Sequence, residues 1–146
     1  MQEEVEIIAI VPDSRLLDGL AEEAEEFGFT FVSRSIAEAK SGANWFDQPG
    51  ECFLGAFING QLIGCGGLNN DPYTDQIVGR LRHIYVLNNF RRKGVARQIV
   101  QRLLDGSKGR FDVVRLRTPN STADRFYEAL GFQRTSDEHA THMIKT

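Results

Sequence analysis

Cysteine is scarce in this 146-residue chain: there are two, Cys52 and Cys65, with one tryptophan and four prolines. Two thiols make no framework of disulfide spacings, and neither has the local signature of a catalytic thiol. Both are expected to be core residues. No run of about 18 apolar residues is present, so no membrane-spanning segment is expected. The start, "MQEEVEIIAIV", is acidic where a secretory signal would be basic, and the default expectation is a cytoplasmic protein. Two phosphate-binding signatures are also missing. No G-x-x-x-x-G-K-[ST] occurs, and no G-x-G-x-x-G follows the first strand. His139 and His142 form H-x-x-H, but a strand spacing of three puts them on opposite faces and no third ligand is evident, so no metal site is expected.

What is present suits an ordinary globular protein: 41% apolar residues and 25% charged. The length fits one domain, residues 1–146, with a core that needs no staples. Net charge is −3, but it is unevenly spread. Residues 1–79 hold 14 acids and 3 bases, whereas residues 80–117 hold 11 bases and 2 acids. One segment is suited to an anion and the rest repels one, which favours a cationic acceptor elsewhere. The acidic total argues against a nucleic-acid partner.

The element pattern reads as follows. "VEIIAIV" (5–11) is a β-branched run and predicts a strand. Pro12 ends it, Asp13 is a helix N-cap candidate, and helical spacing of apolar residues runs from Leu16 to Phe27 before Gly28. A weaker helix is expected within 33–42. Two apolar runs flank Asn59-Gly60, predicting a type I′ hairpin. With a two-residue loop, Ile58 faces Gln61 and Cys52 faces Gly67. Cys52, Leu54 and Ala56 then share a face with Ile63 and Cys65, while Phe53, Phe57, Leu62 and Leu68 take the other. Both faces are apolar, so the sheet should be covered on both sides. Residues 69–76 read as a loop and 78–86 as a strand. A helix over about 92–105 buries Val95, Ala96, Ile99, Val100, Leu103 and Leu104. A strand ("FDVVRLRT"), a helix opened by Pro119 and Asn120, and a final strand ("HATHMIKT") complete the chain. The order gives one mixed α/β domain with a βαβ unit.

The cations Arg91, Arg92 and Lys93 stand where a strand ends and a helix begins. Unpaired N–H groups and the helix dipole there suit an anion, and Gly94 lets it approach the main chain. The hexad Arg91-Arg92-Lys93-Gly94-Val95-Ala96, followed by Asn120, Ala123, Tyr127, Gly131 and Phe132 in "NSTADRFYEALGF", resembles the GNAT N-acetyltransferase superfamily. The likeness is clear from about residue 51 to 134. It implies a GNAT-like α/β domain: a mixed, mostly antiparallel sheet with helices on both faces and a splayed parallel strand pair that binds acyl-coenzyme A.

By that resemblance acetyl-coenzyme A is the cofactor. Its pyrophosphate would lie on the amides of residues 92–97, among Arg91, Arg92, Lys93, Gly94, Val95, Ala96 and Arg97. Backbone groups of Ile84, Tyr85 and Val86 would pair with the pantetheine arm, and Asn120 would complete the site. Tyr127 would protonate the leaving thiolate. Its seven-residue spacing from Asn120 is two helical turns, so both side chains face one way. Relatives often carry a Glu or His base on the strand before the hexad. Here those positions are Arg80 and Arg82, which cannot be bases. His83 is the adjacent catalytic candidate, with opposite strand parity unless a bulge re-aims it. The expected activity is acetyl transfer to a primary amine of a small-molecule acceptor by direct attack, with a homodimer as a candidate assembly. The alternatives are a protein or peptide N-acetyltransferase and a non-catalytic acyl-CoA sensor.

Overall fold

Asn59 and Gly60 take φ values of 50° and 80°, the left-handed pair that a two-residue hairpin turn requires. They join β2 (Cys52–Ile58) to β3 (Gln61–Asn70), as the sequence predicts. The computed structural model describes residues 4–12, 14–119 and 121–146. The expected caps at Asp13 and Asn120 lie outside them. Before the hairpin come β1 (Glu6–Ala9), α1 (Ser14–Glu26) and α2 (Phe31–Ser41). After it come β4 (Gly79–Val86), a short 3₁₀ turn (Asn88–Phe90), α3 (Val95–Ser107), β5 (Val113–Leu116), α4 (Ser121–Ala129), β6 (Gln133–Asp137) and β7 (Ala140–Lys145).

Among the described residues, seven strands form one sheet in the order β1-β2-β3-β4-β5-β7-β6, and only the β4–β5 pair is parallel. Both faces are covered, as expected. On one, Leu17, Leu20 and Ala24 of α1 and Val32 of α2 pack with Phe53, Cys65 and Tyr85. On the other, Val95, Ile99, Val100 and Leu103 of α3 and Tyr127 of α4 pack with Leu54, Ile63, Leu81 and Val86. Each fully buried aliphatic side chain contributes roughly 1.5–3 kcal/mol relative to exposure.

Four expectations need correction. Ala56 pairs with Gly64 but Phe57 with Leu62, so Ile63 is an extra residue in β3. Cys52 therefore faces Leu68 rather than Gly67. Past that bulge the faces exchange: Cys65 joins Phe53, and Leu68 joins Leu54. β3 also runs through Asn69 and Asn70, which pair with Arg80 and Gly79 instead of lying in a loop. Helix α3 begins at Val95, the first residue of its apolar stripe and three residues later than the expected start near 92, because Arg92 and Gly94 have φ of 64° and 79°. Finally, β6 has a polar sequence, QRTSD, with no apolar alternation to announce it. It exists as an edge strand on β7, closed by a hydrogen bond from His139 N–H to the Asp137 carboxylate (2.8 Å).

Candidate active site

β4 organises the site through two departures from regular pairing. The first is a bulge. Cys65 pairs with Tyr85 and Gly67 with Arg82, so His83 and Ile84 together oppose Gly66. His83 sits at φ 63°, a left-handed conformation that only surrounding structure holds in place. Gly66 makes room for the other bulge residue, Ile84, on the opposite face: a Cβ there would stand 2.5 Å from Ile84 Cδ1 and 2.7 Å from Ile99 Cγ2. The bulge puts His83 on the same face as Arg82 and Tyr85, toward α2, where it lies 6.5 Å from the Phe31 ring and 6.0 Å from that of Phe46.

The second departure is the splay. β4 and β5 pair only at Gly79–Val114 and Arg80–Arg115. Two arginines side by side repel, and Asp71 lies between them. It accepts hydrogen bonds from Arg80 Nη1 (3.3 Å) and Arg115 Nε. Burial opposes its charge, but bonds from Arg115 and the Tyr73 N–H, with the Arg80 charge, hold the Asp71 carboxyl below its ordinary range. Arg80 is thus a clamp at the root of the splay, which accounts for a cation at a position where a base was sought. Beyond it the edge of β4 from 81 to 86 has no strand partner among the described residues.

The cationic hexad lies just past that open edge. The first backbone bond of α3 runs from Gln98 N–H to Gly94 O, so the amides of 95–97 lack an intrahelical partner. No side-chain cap is present, and no atom lies within 4 Å of where a Gly94 Cβ would stand. The cations do not act alike. Arg91 is committed inward: its Nε donates to Val86 O at 2.9 Å, and it lies over the Tyr85 and Phe27 rings at 5.3 and 5.6 Å. Lys93 lies 5.6 Å from the Phe90 ring. Arg92 and Arg97 are exposed and have no side-chain partner among the described residues. Glu23 braces the turn from α1, accepting from Tyr85 Oη (2.6 Å) and Asn88 N–H (3.0 Å). Burial and that carboxylate both raise the Tyr85 phenol.

Tyr127 is 8% exposed, with the Phe126, Phe132 and His142 rings at 4.9, 5.5 and 5.9 Å. Burial pushes its phenol up to about 12, so it keeps its proton at neutral pH. His83 is 7% exposed, and among the described residues neither ring nitrogen has a side-chain hydrogen-bond partner. Burial, then the Arg82 and Arg34 cations, push its imidazole down to about 3. Such a ring is neutral and a weak proton acceptor. His142 is fully buried 3.3 Å from Asp124, whereas His139 stacks on Tyr73 at 4.2 Å.

Three residues near β4 were not anticipated as site residues. Glu38 of α2 accepts from Arg82 Nη2 at 3.2 Å, and its other oxygen lies 3.9 Å from His83 Nε2, too far for a hydrogen bond. Glu38 and Arg82 line a cleft of about 290 Å³ together with Asn44 and Asn69. No local pattern marks Glu38, Asn44 or Asn69, because α2 and the loop after it meet β4 only in the folded chain.

The nature of this arrangement is fixed by comparison with known proteins. A candidate acetyltransferase from Exiguobacterium sp. 255-15 superposes with a TM-score of 0.86 at 26% identity, over 97% of this chain and 93% of that one. PaiA N-acetyltransferase from Thermoplasma acidophilum, solved in complex with coenzyme A, shares the fold with a TM-score of 0.71 at 18% identity, over 98% and 99% of the chains. N-alpha-acetyltransferase RimI of Mycobacterium tuberculosis is 29% identical over 87 residues, 60% of this chain. The chain spans about half the length of that relative, 55%. No helix among the described residues is long and apolar enough to cross a membrane. Residues 16–132 match the Acetyltransferase (GNAT) family, and the chain belongs to that family.

Proposed function

We propose that this protein transfers an acetyl group from acetyl-coenzyme A to the primary amine of a small-molecule acceptor. The observation that carries this reading is the open edge of β4 beside the uncapped start of α3. The residues fit the cofactor. Main-chain groups along Ile84, Tyr85 and Val86 would pair with an extended pantetheine arm as an added strand does, the Val86 carbonyl being shared with Arg91 Nε. Amides of Gly94, Val95, Ala96 and Arg97 suit a pyrophosphate, with Arg92 and Lys93 supplying charge. Arg91 holds the turn. When bound, acetyl-coenzyme A supplies a thioester, an acyl group on a sulfur leaving group.

The acceptor nitrogen, neutral once its extra proton has left, forms the new C–N bond as the C–S bond breaks. A main-chain N–H at the β4 opening offsets charge on the carbonyl oxygen. The Tyr127 phenol gives its proton to the departing sulfur. Neither Arg80 nor Arg82 can take the amine's proton, and His83, with its pKa near 3, is poorly matched to the task. Water is the remaining acceptor. The RimI likeness favours a second reading, acetylation of a protein N-terminus.

An acyl-transfer screen over polyamines, amino acids, aminoglycosides and peptides, with products identified by mass, tests the proposal. An N-acetylated small amine and one equivalent of free thiol are expected. Cofactor binding without thioester cleavage by any amine would mean a sensor. Acetylation of peptides alone would move the acceptor to the second reading.

A further inference from the structure

The cleft against α2 has more unsatisfied polar atoms than a structural pocket should keep. Six buried side-chain atoms lack a hydrogen-bond partner among the described residues, and five belong to this neighbourhood: Glu38 Oε2, Asn44 Nδ2, Asn69 Oδ1 and both His83 nitrogens. A buried polar atom left unpaired is costly to keep, so a cluster of them in one place calls for a reason. Asn69 is 7% exposed and still lines the cleft. It sits on β3 opposite Arg80, held rigidly by the ladder.

The chemistry of the walls is specific. Glu38 Oε2 and Asn69 Oδ1 are acceptors, and Asn44 Nδ2 is a donor. Asp47 and Glu51 also line the cleft, and Arg82 is its one cation. The half-exposed Trp45 stands at its side, an indole face that attracts cations. Three carboxylates against one guanidinium favour a positive ligand. At about 290 Å³, the cleft is at the small end of ligand sites. It adjoins the bulge at His83, one residue before the proposed cofactor-binding edge that starts at Ile84.

We infer that this cleft is the acceptor site, and that it selects a small primary ammonium compound carrying a carbonyl oxygen beside the ammonium. The Glu38 carboxylate and Asn69 Oδ1 receive the ammonium hydrogens, and Asn44 Nδ2 donates to the oxygen. Glu38 thus binds the ammonium from α2, beside the β4 positions held by Arg80 and Arg82, and the proton leaves to water before the nitrogen attacks. The inference rests on the acetyltransferase reading above.

The test uses the full chain with saturating acetyl-coenzyme A and glycinamide as acceptor. Acetamide, which lacks the amine, serves as a competing ligand. Glycinamide should bind and be acetylated, and acetamide should compete poorly. Glu38→Gln should raise the KM for glycinamide about ten- to a hundredfold, the loss expected for a hydrogen bond to a charged group. It should leave the acetyl-coenzyme A Kd unchanged. Glu38→Gln also disturbs Arg82, so Asn69→Ala is the independent probe: it should raise the same KM with the Glu38–Arg82 pair intact. A glycyl tripeptide tests the source of the ammonium. A lower KM than for glycinamide, with the same dependence on Glu38 and Asn69, would keep the site but assign it to a chain terminus. Unchanged KM in both variants, or no binding of glycinamide to a chain that still binds acetyl-coenzyme A, overturns the inference alone. Failure to bind acetyl-coenzyme A at all would instead sink the reading beneath it.

Discussion

The two faces of β4 are built on different principles. Toward α3, Leu81, Ile84 and Val86 meet Ile99 and Leu103 in a close-packed apolar layer. Toward α2, Arg82 and His83 meet Glu38 among polar atoms left unpaired. One face has its free energy in burial, which is non-directional and tolerant. The other has it in electrostatics at fixed positions, which is demanding. The difference teaches where to look for stability and where for chemistry. The α3 face holds the start of α3 rigid beside the proposed cofactor cradle, while the α2 face keeps unsatisfied groups that a packed core would have eliminated.

The largest expected effect belongs to Tyr127, on the apolar side. Tyr127→Phe keeps the ring among Phe126, Phe132 and His142 and removes only the proton. Loss of a general acid costs about 10² to 10⁴ in rate, and the fall should be in kcat, with the Kd for acetyl-coenzyme A little changed. Normal turnover with a lower melting temperature would make Tyr127 another core residue and blur the contrast between the faces.

Next is the cradle. Acetyl-coenzyme A at about 100 times its Kd should stabilise the fold by about 2.7 kcal/mol. Gly94→Glu should abolish that shift, by placing a carboxylate where an anion belongs and a side chain at φ 79°. A retained thermal shift in the variant would put the phosphates elsewhere.

The polar face should declare itself through pH. His83 in the folded chain titrates near 3, while in the unfolded chain it should titrate near the ordinary value of about 6.5. Between those values the unfolded state binds more protons, so the contribution of His83 to stability is present above about 6.5 and is lost as pH falls toward 3. Melting temperature should therefore drop more steeply over that window in the parent than in His83→Gln. Parallel curves for the two proteins would mean that the imidazole is better solvated than its 7% exposure implies.

The smallest effect is expected at the cysteines. Burial pushes the Cys65 thiol up to about 12 and raises that of Cys52, so neither forms a thiolate near neutral pH. Cys52→Ala with Cys65→Ala should lower stability by an amount on the order of 1 kcal/mol per buried group and keep turnover per folded molecule. An acetylated cysteine isolated from the reaction would overturn this and imply a two-step transfer.

Much of the architecture was legible because its causes are local. Asn59-Gly60 specifies a tight turn through its own φ preferences, and the apolar spacing of α3 specifies a buried stripe. The hexad and the segment ending at Phe132 carried the family resemblance, which the match over residues 16–132 bears out. The bulge at Ile63 was not legible, and the one at His83 was foreseen only as the condition that would re-aim the ring, since a bulge leaves the residue types unchanged and alters only which neighbour each one opposes. β6 was missed because an exposed edge strand needs no apolar alternation.

By itself, then, the sequence determined the turn chemistry, the helical stripes, the segregation of acidic from basic segments and the family motif, all properties of neighbouring residues. Tertiary structure alone decided that His83 faces α2, that Arg80 and Arg115 are held by Asp71, and that Glu38 meets Arg82 across 44 residues of chain. Those choices rest on Coulomb and packing terms between segments distant in sequence, which take their values only after the sheet has closed its register.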